Sequence, residues 1–279
     1  MRNSLIDLRD KLPEGLVEVY QAVQSAASEL QLAVLVVGAM ARDLVLVHGF
    51  GAKLERGTRD VDFAVQVRDW TAYEKLAEGL VVKGFQKADK WAHRFYLQSA
   101  NGQLWEVDVL PFGKVSDASG RIKWPPDESI EMTVLGFDEA FKHALNVQMG
   151  GVDSDFTVCV ASPEAMSILK LISWLEREPA IRKKDARDLN YLMQTYCQLP
   201  DVYDRIYTEG DMEAHDWDQD KASAQILGRD AGNLIKRDTF DFLQAGLFSK
   251  PDKLSLLWNE MTPVMQEAFR TEGFYGGFQ

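Results

Sequence analysis

Apolar positions recur at helical spacing near the start of the chain: Leu16, Val19, Tyr20, Val23, Ala26, Ala27 and Leu30 lie three or four apart and predict a helix over about 14–30. The run Leu32 to Val37 is short, β-branched and closed by Gly38, the pattern of a buried strand. Ala39 to His48 reads as the helix that follows, ended by Gly49 and Gly51. Asp60 to Val67 is a strand, Arg68-Asp69 open a helix to about Leu80, and three short strands follow near 84–88, 93–99 and 103–110. Residues 111–129 carry Pro111, Gly113, Gly120, Pro125 and Pro126 and read as a long loop. Phe137 starts a helix and Phe156 to Val160 is a strand. Ser162-Pro163-Glu164 is a helix opening, with serine as cap and proline in the first turn. Beyond it the pattern is helical throughout, so the chain divides near residue 161 into an α/β front, 1–161, and a helical rear, 162–279.

The strand at Asp60 carries the chemistry. Residues two apart on a strand share a face, so Asp60 and Asp62 aim their carboxylates at one place. Such a pair repels unless a cation lies between its members. Magnesium is the natural cation, since it takes one or two carboxylates and completes its shell with substrate phosphates. Asp108 and Glu106 alternate with Trp105, Val107 and Val109, which puts two more acids on one face of another strand. A sheet face with so much negative charge needs something cationic. Gly38-Ala39, at a strand-to-helix turn, would let main-chain N–H groups approach phosphate. Each part alone has a plainer reading: Asp-x-Asp as a solvated edge, Gly38 as an ordinary turn. The ordered combination is far more specific and points to nucleotidyl transfer, in which two metal ions stabilise the attacking and leaving oxygens.

Composition narrows the alternatives. The net charge of −12 argues against a general nucleic-acid binder, and no DNA partner is expected. Local basic candidates remain in Arg182-Lys183-Lys184 and in Lys53, Arg56 and Arg59. Arg59 suits either a phosphate or a neighbouring aspartate. The longest apolar run, Leu32 to Ala41, is too short to span a bilayer. The amino-terminal residues lack the apolar core of a signal peptide, so a cytoplasmic protein is expected. Cys159 and Cys197 read as reduced and buried. His93-Arg94 flank a strand and read as surface residues or as neighbours of the nucleotide or acceptor. Trp217, among Asp216, Asp218 and Asp220, reads as part of a solvated acidic face. Phe269 to Phe278 reads as a docking tail or a frayed end.

Three stretches together resemble the DNA polymerase β-like nucleotidyltransferase superfamily: Gly38-Ala39-Met40-Ala41-Arg42-Asp43, Arg59-Asp60-Val61-Asp62-Phe63, and Glu106-Val107-Asp108-Val109-Leu110-Pro111-Phe112. Leu169-Lys170-Leu171-Ile172 with Lys184-Asp185-Ala186-Arg187-Asp188-Leu189 is similar to the helical motifs of the AbiEii/AbiGii toxin-like branch. The resemblance covers about residues 32–196. It implies an α+β fold: a nucleotidyltransferase head with a mixed, largely antiparallel sheet flanked by helices, then a helical bundle. It implies Asp60, Asp62 and Asp108 as metal ligands for two magnesium ions and the Gly38-Ala39 turn as the phosphate contact, with Arg59 a candidate nucleotide contact read from the residues beside it. It also implies Lys170 near the triphosphate, and Asp185 or Asp188 as the acid of the last motif. The partners implied are a nucleoside triphosphate, an RNA acceptor such as the 3′ end of transfer RNA, and a cognate antitoxin protein. Ala39 departs from the family's Gly-Gly or Gly-Ser/Thr turn and removes a hydroxyl suited to phosphate. Two other readings stay open beside it. One is transfer to a small molecule, as in antibiotic adenylylation, which the acidic charge suits. The other is an inactive fold that binds nucleotide or protein. Read without the resemblance, Lys170 in its apolar stretch either needs a counter-charge or an anion if it is buried or, the favoured reading, reaches water from the helix edge, and Asp185 and Asp188 form an exposed ion-pairing face.

Overall fold

The computed structural model describes residues 5–54, 57–150 and 155–261. They form two compact units. One is built from the described residues of Met1–Gly49 and Lys53–Ala161, the other from those of Phe50–Ala52 and Ser162–Gln279.

The first unit carries, in chain order, β1 (Ile6–Asp7), α1 (Glu14–Glu29), β2 (Ala33–Val37), α2 (Gly38–Arg42), β3 (Asp60–Val67), α3 (Trp70–Val82), β4 (Gln86–Lys87), β5 (Arg94–Gln98), β6 (Leu104–Gly113), β7 (Arg121–Lys123), β8 (Glu131–Thr133), α4 (Phe137–Lys142), β9 (Leu145–Met149) and β10 (Phe156–Val160). Eight strands make one mixed sheet in the order β1-β9-β10-β2-β3-β6-β5-β4, and β7 pairs with β8 separately. The pairs β9–β10, β2–β3, β5–β6 and β4–β5 are antiparallel, whereas β1–β9, β2–β10 and β3–β6 are parallel. The central strands are the apolar ones: Leu35, Val36, Ala64, Val65, Val107 and Val109 are fully buried. Helix α1 packs its periodic face on α3 and on β2, and the Tyr20 and Phe63 rings meet edge to face at 5.7 Å. Asp69 caps α3, its carboxylate accepting from the Ala72 N–H at 2.8 Å.

The structure departs from the expected elements in physically readable ways. The helix after Gly38 is α-helical only to Arg42 and continues from Asp43 to Gly49 as a π-helix, with Leu44, Val45 and Leu46 all buried. The loop expected over 111–129 is shorter, because β6 runs on to Gly113 and β7 pairs with β8. Pro111 is tolerated inside β6 for a local reason. The Val109 N–H bonds the His93 carbonyl on the β5 side, at 2.8 Å. The Pro111 nitrogen faces that same side, past the start of β5 at Arg94, so no ladder bond is lost. The structure adds a strand that the sequence pattern does not announce, β9, which alternates Leu145, Val147 and Met149 with Asn146 and Gln148. Cys159 is only half-buried, whereas Cys197 is buried; both are free thiols.

The second unit is helical: α5 (Pro163–Glu176), α6 (Pro179–Thr195), α7 (Pro200–Thr208), α8 (Asp211–Ala214), α9 (Gln219–Leu234), α10 (Arg237–Leu243) and α11 (Pro251–Met261). The Ser162 hydroxyl accepts from the Ala165 N–H and Pro163 occupies the first turn of α5. Helix α6 packs against α5, α9 and α11. Trp217 is exposed, and Asp218 beside it caps α9 rather than standing free on a solvated face. Arg56 and the aromatic stretch from Phe269 to Phe278 lie outside the described residues. No helix among the described residues is long and apolar enough to cross a membrane.

Candidate active site

Register builds the site. In the parallel β3–β6 pair, Asp60 lies opposite Glu106 and Asp62 opposite Asp108. In the antiparallel β5–β6 pair, Arg94 lies opposite Asp108 and Tyr96 opposite Glu106. Strand alternation puts Val61, Phe63, Phe95, Val107 and Val109 into the core, so the polar set is left on the other face. Asp60 is exposed, while Asp62, Arg94, Glu106 and Asp108 are half-buried.

Arg94 is the cation that the acidic face called for. Its guanidinium donates to Asp108 through Nε and Nη2, both at 2.8 Å, and its Nη1 lies 2.6 Å from Glu106 Oε1. This bidentate grip fixes the plane of the Asp108 carboxylate. It also raises the Arg94 pKa above its ordinary value, the hydrogen bond to Asp108 being the largest cause. Burial raises the Glu106 pKa despite the nearby arginine. His93 Nε2 lies 3.9 Å from Asp108 Oδ2, and burial lowers the pKa of its imidazole. The sequence placed Arg94 beside a strand without showing what it pairs with. Only the β5–β6 register identifies Asp108 and Glu106 as its partners.

Gly38 supports the same face from β2. Val37 pairs with Asp62, which brings the next residue against the aspartate side chain. A Cβ on Gly38 would stand 2.0 Å from Asp62 Oδ2, and the glycine φ is +74°. Ala39 follows in the first turn of α2, and Arg59 is exposed just before β3. Within α2 and the π-helix, Arg42 and Asp43 form a buried ion pair at 2.7 Å. The phenol of Tyr20 is fully buried with no hydrogen-bond partner. Burial first, then the negative charge of Asp62 and Asp43, holds its pKa well above the usual range.

The donor set suits a hard cation in part. Among the described residues, no three or more histidine, cysteine and acidic side chains converge as a ready metal cage. Asp60 and Asp62 still offer carboxylate oxygens on one strand face. That is enough for magnesium when substrate phosphates complete its shell. Asp108 gives one lone pair on each oxygen to Arg94 and keeps another on each.

The second unit brings together the three helical residues singled out. Lys170 Nζ lies 3.0 Å from Asp185 Oδ1 and 2.6 Å from Asp188 Oδ2. Arg177 joins from the other side, Nη1 donating to Asp185 at 2.8 Å. Lys170 is 15% exposed and Asp185 and Asp188 are buried, so neither the lysine reaching for water nor the exposed ion-pairing face describes them. Burial works against the Lys170 charge, but the two carboxylates outweigh it and raise the pKa. Arg182, the first of the basic run, is committed to Glu260 at 2.9 Å and stacks over Trp174 at 4.8 Å.

A family model described as "Nucleotidyl transferase AbiEii toxin, Type IV TA system" matches residues 22–270. No curated protein matches the chain. Among solved structures, the antibiotic-resistance factor ANT(2'')-Ia is similar at 14% identity and a TM-score of 0.37, over 72% of this chain and 96% of that one. The lincosamide antibiotic adenylyltransferase LnuA, bound to lincomycin, is similar at 15% identity and a TM-score of 0.36, over 63% of this chain and 94% of its own. The Thermotoga maritima CCA-adding enzyme, complexed with transfer RNA, is similar at 13% identity and a TM-score of 0.26, over 97% and 80%.

Proposed function

We infer the reaction from one premise: the chain belongs to the AbiEii nucleotidyl transferase toxin family. We propose that it moves a nucleoside monophosphate from a nucleoside triphosphate to a hydroxyl of an RNA acceptor, such as the 3′ end of transfer RNA, as the toxin of a toxin–antitoxin pair. The observation that carries the reading is the register of β3 with β6, which sets Asp60 and Asp62 beside Glu106 and Asp108 on one polar face.

In this proposal Asp60 and Asp62, with Asp108 beside them, hold magnesium together with the triphosphate. The metal, when bound, draws charge from the phosphate oxygens and from the acceptor hydroxyl. Asp108 takes the proton of the acceptor hydroxyl as its oxygen bonds to the α-phosphorus. The bond from that phosphorus to the bridging oxygen breaks, and pyrophosphate leaves. Arg94 is a positioning residue, since it grips Asp108 in one plane. Gly38 and Ala39 offer main-chain N–H groups to phosphate, and the exposed Arg59 contributes a cation. We assign Lys170 to the triphosphate, with Asp185 and Asp188 setting its position. A small-molecule acceptor keeps one supporting fact, the net charge of −12.

Label transfer tests the proposal. Wild-type protein and Asp62→Asn are incubated with Mg²⁺, each α-labelled nucleoside triphosphate in turn, and total bacterial RNA or lysate. Label on a discrete RNA band with wild type alone is the expected result. Label on a small molecule would replace the acceptor. No label from any nucleotide, in protein that still binds Mg-nucleotide, would leave an inactive binding fold. Expression of the wild type should also slow bacterial growth, and Asp62→Asn should relieve it.

A further inference from the structure

A file of aromatic rings leads from solvent to the neighbourhood of Asp108, and the transfer chemistry makes no use of it. Trp91 stands at its outer end, 50% exposed. Its ring centroid is 6.1 Å from that of His93, which is 5.7 Å from Trp124. Trp124 packs in turn on Tyr73 at 5.3 Å and on Trp70 at 5.1 Å. The inner rings of Tyr73 and Trp124 are buried.

The base of this file is stiff. The Tyr73 hydroxyl is within hydrogen-bond distance of the Ala92 and Val109 carbonyls, at 3.3 and 3.1 Å. The His93 carbonyl accepts from the Val109 N–H at 2.8 Å, and the Trp91 carbonyl accepts from the Arg94 N–H at 3.0 Å. Trp91 is therefore mounted on a short segment locked to β5 and β6, three residues before the arginine that grips Asp108. Scattered exposed apolar residues need no explanation. An exposed indole backed by a packed file of tilted and edge-to-face rings beside a carboxylate site differs from those.

We propose that Trp91, backed by His93, is the stacking platform for a nucleobase in the transfer reaction. The inference rests on the nucleotidyltransferase reading above. A base offers a flat π-face and stacks on aromatic side chains whatever its identity. A small polycation would instead seek free carboxylates, and the two acids that β5 faces on β6, Glu106 and Asp108, already share the Arg94 guanidinium. The base has two possible sources with the same chemistry: the donor triphosphate or the end of the RNA acceptor.

The variants Trp91→Ala and Trp91→Phe separate them. If the base is the donor's, Trp91→Ala raises KM for the nucleoside triphosphate by about 5- to 150-fold and leaves the acceptor KM alone. If it is the acceptor's, the RNA KM rises by that factor and the triphosphate KM does not. Trp91→Phe keeps a ring and should restore most of either loss. Unmoved values of both in Trp91→Ala overturn the proposal. Trp91 is exposed, so a thermal melt should show an unchanged fold. A binding readout keeps this test apart from the transfer reading. Tryptophan fluorescence of Asp62→Asn is titrated with a nucleoside triphosphate and with a short oligoribonucleotide. Quenching by one of them that disappears when Trp91→Phe is added supports the platform even where no transfer occurs. Equal quenching with and without Trp91 overturns it.

Discussion

The Cβ that Gly38 lacks would lie 2.0 Å from a carboxylate oxygen of Asp62. Two separate costs therefore meet at Gly38→Ala. The φ of +74° strains any residue with a side chain, by about 1–2 kcal/mol. The new methyl must also push the Asp62 carboxylate away, and a displacement of about 1 Å in a catalytic group costs on the order of 100-fold in rate. Gly51→Ala is the control, because its φ is also positive, at +76°, and nothing lies within 4 Å. Both variants should lose a little stability in urea melts, and only Gly38→Ala should lose nucleotidyl transfer. Equal transfer rates in the two would mean that Asp62 does not need its present position. A turn at Gly38 was legible from Val37-Gly38-Ala39, since a glycine closing a β-branched run is a local signal. The contact with Asp62 was not. It depends on Val37 pairing with Asp62, a relation between residues far apart in the chain.

The same division between local and non-local runs through the elements. Helix α1, the β2–α2 turn, the start of α3 at Arg68-Asp69 and the Ser162 cap of α5 were legible because each is written in a few neighbouring residues. Strand β9 was not, though its alternation is clear once its partners β1 and β10 are known. Pro111 misled for a related reason, since only the end of β5 pairing excuses a proline within β6. Helices α5 and α6 show what such pairing is worth. Lys170 sits between Asp185 and Asp188, and Lys170→Met would keep the packing while removing the cation that these two buried carboxylates share. Breaking one partner of such a set costs about 3–5 kcal/mol. Arg177 remains on Asp185, so the lower figure is expected in urea melts at pH 7. The folded-state pKa of Lys170 lies above its unfolded value. The stabilisation is therefore complete below the unfolded lysine value, about 10.4, and is lost only as pH rises through the folded one. The difference between wild type and Lys170→Met should be the same at pH 9 as at pH 7, and its disappearance by pH 9 would contradict the ion-pair account.

Many arginines among the described residues are held by acids of the protein itself. Arg94 holds Asp108 and Glu106, Arg177 holds Asp185, Arg182 holds Glu260, Arg205 holds Asp230, and Arg229 holds Asp211. The basic run at Arg182, legible as a possible phosphate-binding patch, thus loses its arginine to a partner 78 residues away that no local pattern reveals. With a net charge of −12, the field of the protein as a whole repels an RNA backbone. An RNA acceptor must then be held mainly by contacts to its reacting end, of the kind Trp91 offers. This has a measurable consequence. A protein that neutralises 6–10 phosphates loses about 10³–10⁵ in affinity between 50 and 200 mM salt. Here the acceptor KM should change by less than about ten-fold over that range, because one or two phosphate contacts, each with a slope of about 0.7 for a single strand, give at most about seven-fold. Steady-state transfer to RNA at several salt concentrations gives the slope directly. A shallow line agrees with end recognition by an acidic protein. A steep one would mean that the surface gathers phosphates through lysines outside these ion pairs, and would move the search for the acceptor's path to them.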